Sequence, residues 1–141
     1  MNTEIKYPPK LKAISIHAPF AYAICKGFKN EEYRTQPTNR RGWVLIHASQ
    51  SKQSDDYFAE YGIDLTTVKR GAIVGAVKII NCVGFPGNYA YQLANPINFS
   101  RPVEGVKGKQ AIFWGPKTDA EKIAFTLGSE QIREFLLGNE R

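Results

Sequence analysis

Cysteine is scarce in this chain. Cys25 and Cys82 are the only two in 141 residues, they lie far apart, and no C-x-x-C pairing occurs, which excludes a disulfide framework and a zinc-ribbon ligand set. Both are expected to be reduced, buried thiols. Long apolar runs are also missing: stretches such as Ala72 to Val77 end after a handful of residues, well short of the roughly 20 needed to cross a bilayer. The opening residues MNTEIKYPPK have no apolar core behind a basic start and no small-residue cleavage pattern, so no secretory signal is read and a cytoplasmic location is expected. No internal repeat, linker or low-complexity tract is found, and nothing in the residue pattern calls for a metal ion, a cofactor or a membrane.

What is present is enough for one core. A hydrophobic content of 43%, with Phe 8, Tyr 7 and Trp 2 and a charged fraction of 23%, is that of a globular domain and excludes disorder for the bulk of the chain. A domain of this size buries about two-thirds of its unfolded surface, so it needs neither disulfide nor metal to hold together. We divide it into an N-terminal extension, residues 1–10, and a single domain, residues 11–141.

The net charge of +6 is unevenly spread. Residues 1–49 hold eight basic side chains against three acidic ones, residues 50–100 balance at four and four, and Arg101, Lys107, Lys109 and Lys117 gather ahead of an acidic tail. If the fold brings these two basic segments together, they form one positive face, and such a face attracts phosphate by releasing condensed counterions. Solvated charges that only keep the protein soluble are the other reading.

Along the chain, Ala13 to Ile16 reads as a strand, and Pro19 then opens a helix whose apolar face is Phe20, Ala21, Ala23 and Ile24 and which stops at Gly27. Glu31 to Arg34 is expected to be extended, Gln36 to Arg41 a polar turn, and Trp43 to Ala48 a strand. Ser51 to Tyr61 predicts a helix ending at Gly62, and Ala72 to Val83 a long strand bent or bulged at Gly75. The Gly-, Pro- and Asn-rich stretch from Gly84 to Pro102 predicts a long loop of the kind that borders a binding site. Strands are expected at Ala111 to Trp114 and Ile123 to Leu127, and a final helix from Ser129 with Ile132, Phe135 and Leu136 at helical spacing. The resulting class is α+β, or a small barrel-like domain.

Chemistry concentrates in Gly27-Phe28-Lys29-Asn30-Glu31-Glu32-Tyr33-Arg34. In an extended segment period-two geometry puts Glu32 and Arg34 on one face, and Lys29 reaches in from the turn after Gly27. Three ionisable groups then converge. The same spacing also fits a surface hairpin edge with an ion pair worth at most about 1 kcal/mol.

The pattern Gly27-x-Lys29-x-x-Glu32-x-Arg34 follows Ile14-Ser15-Ile16-His17-Ala18-Pro19-Phe20-Ala21 and precedes Arg41-Gly42-Trp43-Val44-Leu45-Ile46-His47-Ala48-Ser49. Gly71 to Gly75 and Gly108 to Trp114 come later in the same order. Over roughly residues 11–136 the sequence resembles the ASCH domain of the PUA-like superfamily. The resemblance implies a small β-barrel with flanking helices and a cleft lined by Lys29, Glu32 and Arg34, in a family generally proposed to bind RNA. The family usually carries Arg at the place of His17 and often Trp at that of Phe20, so a contact made by His17 would be weaker and pH-sensitive compared with a fixed guanidinium. For His47, strand alternation leaves a cleft ligand and a satisfied inner-face histidine equally open.

Three functions are compatible with this set. In the first, the cleft binds single-stranded RNA or a modified nucleotide: Lys29 and Arg34 contact phosphate, Glu32 accepts from a base amino group, Phe20 offers a stacking surface, His17 and His47 border the cleft, and Lys107 and Lys109 extend the track. In the second, it hydrolyses a nucleoside or RNA. ASCH-like amidohydrolases acting on acetylated cytidine use the motif lysine, a threonine and a downstream glutamate; here Glu32 takes the threonine's place, and Val77 to Ile80 offers no glutamate. Lys29 would then stabilise an oxyanion and Glu32 activate water, with the neighbouring carboxylate raising the lysine's pKa. Ribonuclease activity could use the same residues. In the third, the domain is a protein-interaction module in RNA processing.

Overall fold

The computed structural model describes residues 4–139. Five strands form one mixed sheet: β1 (Ala13–Ile16), β2 (Glu31–Arg34), β3 (Gly42–Ala48), β4 (Ala72–Phe85) and β5 (Asn88–Val103) lie in the order β1-β3-β4-β5-β2. β1 runs parallel to β3, and the other neighbours are antiparallel. Three helices accompany them: α1 (Ala18–Cys25), the short α2 (Tyr57–Glu60) and α3 (Asp119–Asn139).

Both sheet faces are covered, which explains the unbroken apolar runs Trp43 to Ile46 in β3 and Ala72 to Val77 in β4. Successive strand side chains point to opposite faces. Val44, Ile46, Val74 and Val77 pack with Tyr22 and Ile24 of α1, whereas Leu45, Ile73 and Ala76 pack with Phe125 and Ile132 of α3 and with Trp114. Ahead of β1, Lys6 and Tyr7 lie on the α3 side, where the Lys6 amide donates to Thr126 Oγ1 and Tyr7 meets Phe125 edge-on at 5.8 Å.

The sheet is open, with β1 and β2 at its two edges. The α+β class is as expected; backbone pairing among the described residues does not close a barrel. The outer edge of β1 is met instead by other groups. Ala13 exchanges both backbone hydrogen bonds with Trp114 at 2.9 Å, and the next outward-facing carbonyl, that of Ser15, accepts from Arg34 of β2 at 3.0 Å.

Five local expectations are corrected. The stretch read as a loop is mostly strand: β5 pairs with β4 along its length and with β2 at Tyr89 to Gln92. Its Asn95 has a φ of 56° and sits in one of the three register shifts along the β4–β5 pairing, so bulges absorb residues that would otherwise break a strand. Shifts flank Gly75, as expected. Ala111 to Trp114 contributes only the bridge from Trp114 to Ala13. Residues 51–61 form turns and then the four-residue α2. Ile123 to Leu127 is helical because α3 starts upstream in a capping box: the Glu121 amide donates to Thr118 Oγ1 at 3.1 Å while Glu121 Oε1 accepts from the Thr118 amide at 3.1 Å. Of the two thiols, Cys25 is buried and Cys82 only partly so.

Thr118→Ala is expected to lower unfolding free energy by about 0.5–2 kcal/mol in urea denaturation, the ordinary loss for an N-cap. An unchanged midpoint would contradict a helix that begins there.

Candidate functional site

The end of α1 aims the chain at the site. Gly27, at φ 82°, donates to the Ile24 carbonyl at 3.1 Å, and the Phe28 amide donates to the Ala23 carbonyl at 2.8 Å, the two bonds of a Schellman motif. The reversal delivers Lys29 beside β2, where pairing with β5 holds residues 31–34 extended and sets Glu32 opposite Tyr91. Period two then separates the strand as the sequence predicts: Glu32 and Arg34 face inward, while Tyr33 is 59% exposed and donates to Glu31 Oε1 at 2.9 Å.

Glu32 is 8% exposed. Its Oε2 accepts from Arg34 Nε at 2.8 Å, and its Oε1 lies 3.8 Å from Lys29 Nζ. Arg34 Nη2 continues to the Ser15 carbonyl. Lys29 Nζ also donates to the Glu31 carbonyl and lies 4.8 Å from the Tyr33 ring centroid. Burial lowers the Lys29 pKa from its ordinary value, outweighing the upward pull of Glu32 and Glu31. The expectation that the neighbouring carboxylate sets the direction is therefore corrected: partial withdrawal from water decides it.

These groups floor a cavity of about 660 Å³ between β1, β2 and the α2 region. Phe20, Tyr33, Tyr57 and Tyr61 supply aromatic walls, with Phe20 centred 4.9 Å from Tyr57 and 6.5 Å from Tyr61. His17 lines the same cavity, its Nδ1 2.7 Å from Ser54 Oγ. Sequence reasoning placed Phe20 and His17 here and missed Tyr57 and Tyr61; their i, i+4 spacing was the available signal, but it marks one face of a helix without saying what that face meets.

His47 is elsewhere. It is 1% exposed and both ring nitrogens are occupied. The Trp114 indole can only donate and the Val106 carbonyl can only accept, which fixes the polarity of the chain. Trp114 Nε1 donates to Ser15 Oγ at 3.0 Å, the Ser15 hydroxyl donates to His47 Nδ1 at 3.0 Å, and His47 Nε2 donates to the Val106 carbonyl at 2.6 Å. The imidazole is neutral, and desolvation lowers its pKa from 6.5 against the opposing effect of the Val106 bond. Of the two readings left open, the satisfied inner-face histidine matches this placement.

Lys107 and Lys109 flank Gly108, which approaches so closely that a Cβ there would lie 2.6 Å from Ser15 Oγ and 2.8 Å from His47 Cε1. Lys109 pairs with Glu121 at 3.1 Å, whereas Lys107 is exposed and has no ion-pair partner among the described residues. The two basic segments thus meet at Ser15, with Arg34 on its carbonyl and Gly108 on its hydroxyl. Among the described residues there is no group of three His, Cys, Asp or Glu able to hold a metal ion, and no helix is long and apolar enough to cross a membrane.

The fold is thus an α+β domain whose Lys-Glu-Arg cavity lies between the two sheet edges, beside the turn after the first helix. The family model for the ASCH domain matches residues 14–112, and the chain belongs to that PUA-like family. In fold it is similar to the crystal structure of ASCH from Zymomonas mobilis, at 16% identity and a TM-score of 0.57 over 85% of this chain and 96% of that one. A tyrosine-to-phenylalanine mutant of ZmASCH from the same organism gives 16% identity and a TM-score of 0.53 over 79% and 93%. Comparison with curated proteins finds no significant match.

The His47 shift has a sign that denaturation can read. A histidine whose folded pKa is depressed binds a proton in the unfolded chain first, so its contribution is complete above about 6.5 and is lost as pH falls through the folded pKa. Stability is expected to drop as pH falls below about 6.5, and less so in His47→Gln. Parallel profiles for the two proteins would contradict a buried neutral imidazole.

Proposed function

We propose that the cleft is a nucleobase pocket through which this ASCH domain binds single-stranded RNA or a modified nucleotide. Family membership supports nucleic-acid binding in general terms. The observation that carries the finer reading is Glu32, a buried carboxylate clamped between Arg34 and Lys29 on the floor of an aromatic-walled cavity. Bases are sequence-tolerant stacking partners for such rings, and a carboxylate selects an exposed amino group. Oε2 is occupied by Arg34 Nε, so Oε1 is the oxygen placed to accept from a base. Arg34 holds Glu32 through Nε and Ser15 through Nη2, which leaves Nη1 as a donor for a phosphate or a base carbonyl. Lys29 adds a second cation at the same mouth.

Binding of a labelled single-stranded RNA, followed by fluorescence anisotropy, is expected to weaken by about 1–3 kcal/mol in Lys29→Ala and again in Arg34→Ala, and to fall with added salt. Unchanged affinity in both variants would remove the cleft from RNA recognition.

One observation favours hydrolysis as a second reading. Burial of Lys29 holds its pKa below the ordinary lysine value, as a proton-transferring amine requires, and Glu32 lies beside it as a candidate base for water. If the cleft turns over acetylated cytidine or RNA in this way, Glu32→Gln reduces the rate about 100-fold or more. Turnover retained in that variant would exclude Glu32 as the base.

A further inference from the structure

Ser15 borders two cavities. On its other side from the aromatic pocket is a second one of about 690 Å³, lined by Ser15, His47, Ser49, Arg70, Lys107 and Lys109 among others. Both volumes lie in the roughly 300–1,000 Å³ range typical of small-molecule sites.

Their linings differ in kind. The first has four Phe and Tyr rings together with Lys29, Arg34 and Glu32; the second has no Phe, Tyr or Trp and draws on serine hydroxyls, the Gly105 to Gln110 loop and three cations against one carboxylate, Glu104. Two of those cations are tethered: Arg70 makes a two-pronged pair with Asp55 at 3.0 and 2.8 Å, and Lys109 is held by Glu121. Lys107 is the untethered one among the described residues. A second feature also points to a ligand. Ser49 Oγ is the single buried side-chain polar atom, among the described residues, that lacks a hydrogen-bond partner. Such a group carries a desolvation cost that a donor or acceptor arriving in the cavity would relieve.

We propose that this second cavity is the sugar-phosphate subsite for the nucleotide adjoining the one in the aromatic pocket, so that the ligand is a single-stranded RNA of at least two nucleotides rather than a free nucleoside. The inference rests on the RNA-binding reading of the first cavity. Aromatic rings around a buried carboxylate suit a base; cations and hydroxyls without such rings suit the backbone between bases. Ser15 is the common wall over which the strand passes, and the close approach of Gly108 to it keeps the lysine-bearing loop against that wall.

The test is a length series measured by calorimetry: the four nucleoside 5′-monophosphates, then mixed-sequence RNAs of two and four nucleotides, on the wild-type protein and on Lys107→Glu and Ser49→Ala. In the wild type the best dinucleotide is expected to bind about tenfold or more tighter than the best monophosphate, a gap of ~1.4 kcal/mol. Lys107→Glu, at an exposed position, should shrink that ratio about fivefold or more, and Ser49→Ala should shrink it in the same direction. Equal affinity for monophosphate and dinucleotide would overturn the second subsite while leaving the aromatic pocket standing. A length gain that survives both substitutions would put the next nucleotide elsewhere and overturn it as well. Failure of every probe to bind would overturn the RNA reading of the cleft, and this inference with it.

Discussion

The side chain of Glu32 is withdrawn from water, and an isolated carboxylate in that position would be strongly unfavourable. Arg34 meets it from two residues along the same strand, and Lys29 from the turn that ends α1. Arg34 then reaches across to the Ser15 carbonyl on the opposite edge of the sheet. One buried ion pair therefore also spans the seam between β1 and β2. Removing Arg34 would leave Glu32 with Lys29 alone at 3.8 Å and release the Ser15 carbonyl, which loosens that seam.

An open seam explains how the same residues can be both structural and available. Had β1 and β2 paired through their backbones, the Ser15 carbonyl would be satisfied by an amide and no room would remain between the strands. A guanidinium reaches farther than a backbone amide, so the edges stand apart and a cavity opens beside the bridge. The hydrogen-bonded chain from Trp114 through Ser15 and His47 to Val106 fixes the other side of the same serine. Ser15 is consequently held by its carbonyl and its hydroxyl at once, and it divides the aromatic pocket from the cationic one. Preorganised donors of this kind lower the ordering cost that a flexible ligand imposes on binding.

Local patterns that belong to one element were legible in the sequence. The Gly27 stop, the inward pairing of Glu32 with Arg34 and the buried run of β3 each depend on residues a few positions apart. What long-range pairing decides was not legible. β5 contains Asn95 and Pro96, which argue for a loop until β4 is seen to pair along the segment and β2 with its first residues. The capping box at Thr118 was visible as T-x-x-E, yet the apolar run after it reads equally as a short strand. At the site, Lys29, Glu32 and Arg34 line one cavity, as their spacing suggests, and Phe20 and His17, expected there from the family resemblance, line it too. Tyr57 and Tyr61 join them only through the packing of α2 beside Phe20, and the burial of His47 follows from a loop some sixty residues downstream.

The most direct measurement is a crystal structure of this protein with a short single-stranded RNA bound. A base edge within hydrogen-bond distance of Glu32, stacked against Phe20 or the tyrosines and with a phosphate near Arg34 or Lys29, is the expected result. RNA bound on another face, with the space over Glu32 unoccupied, would contradict it.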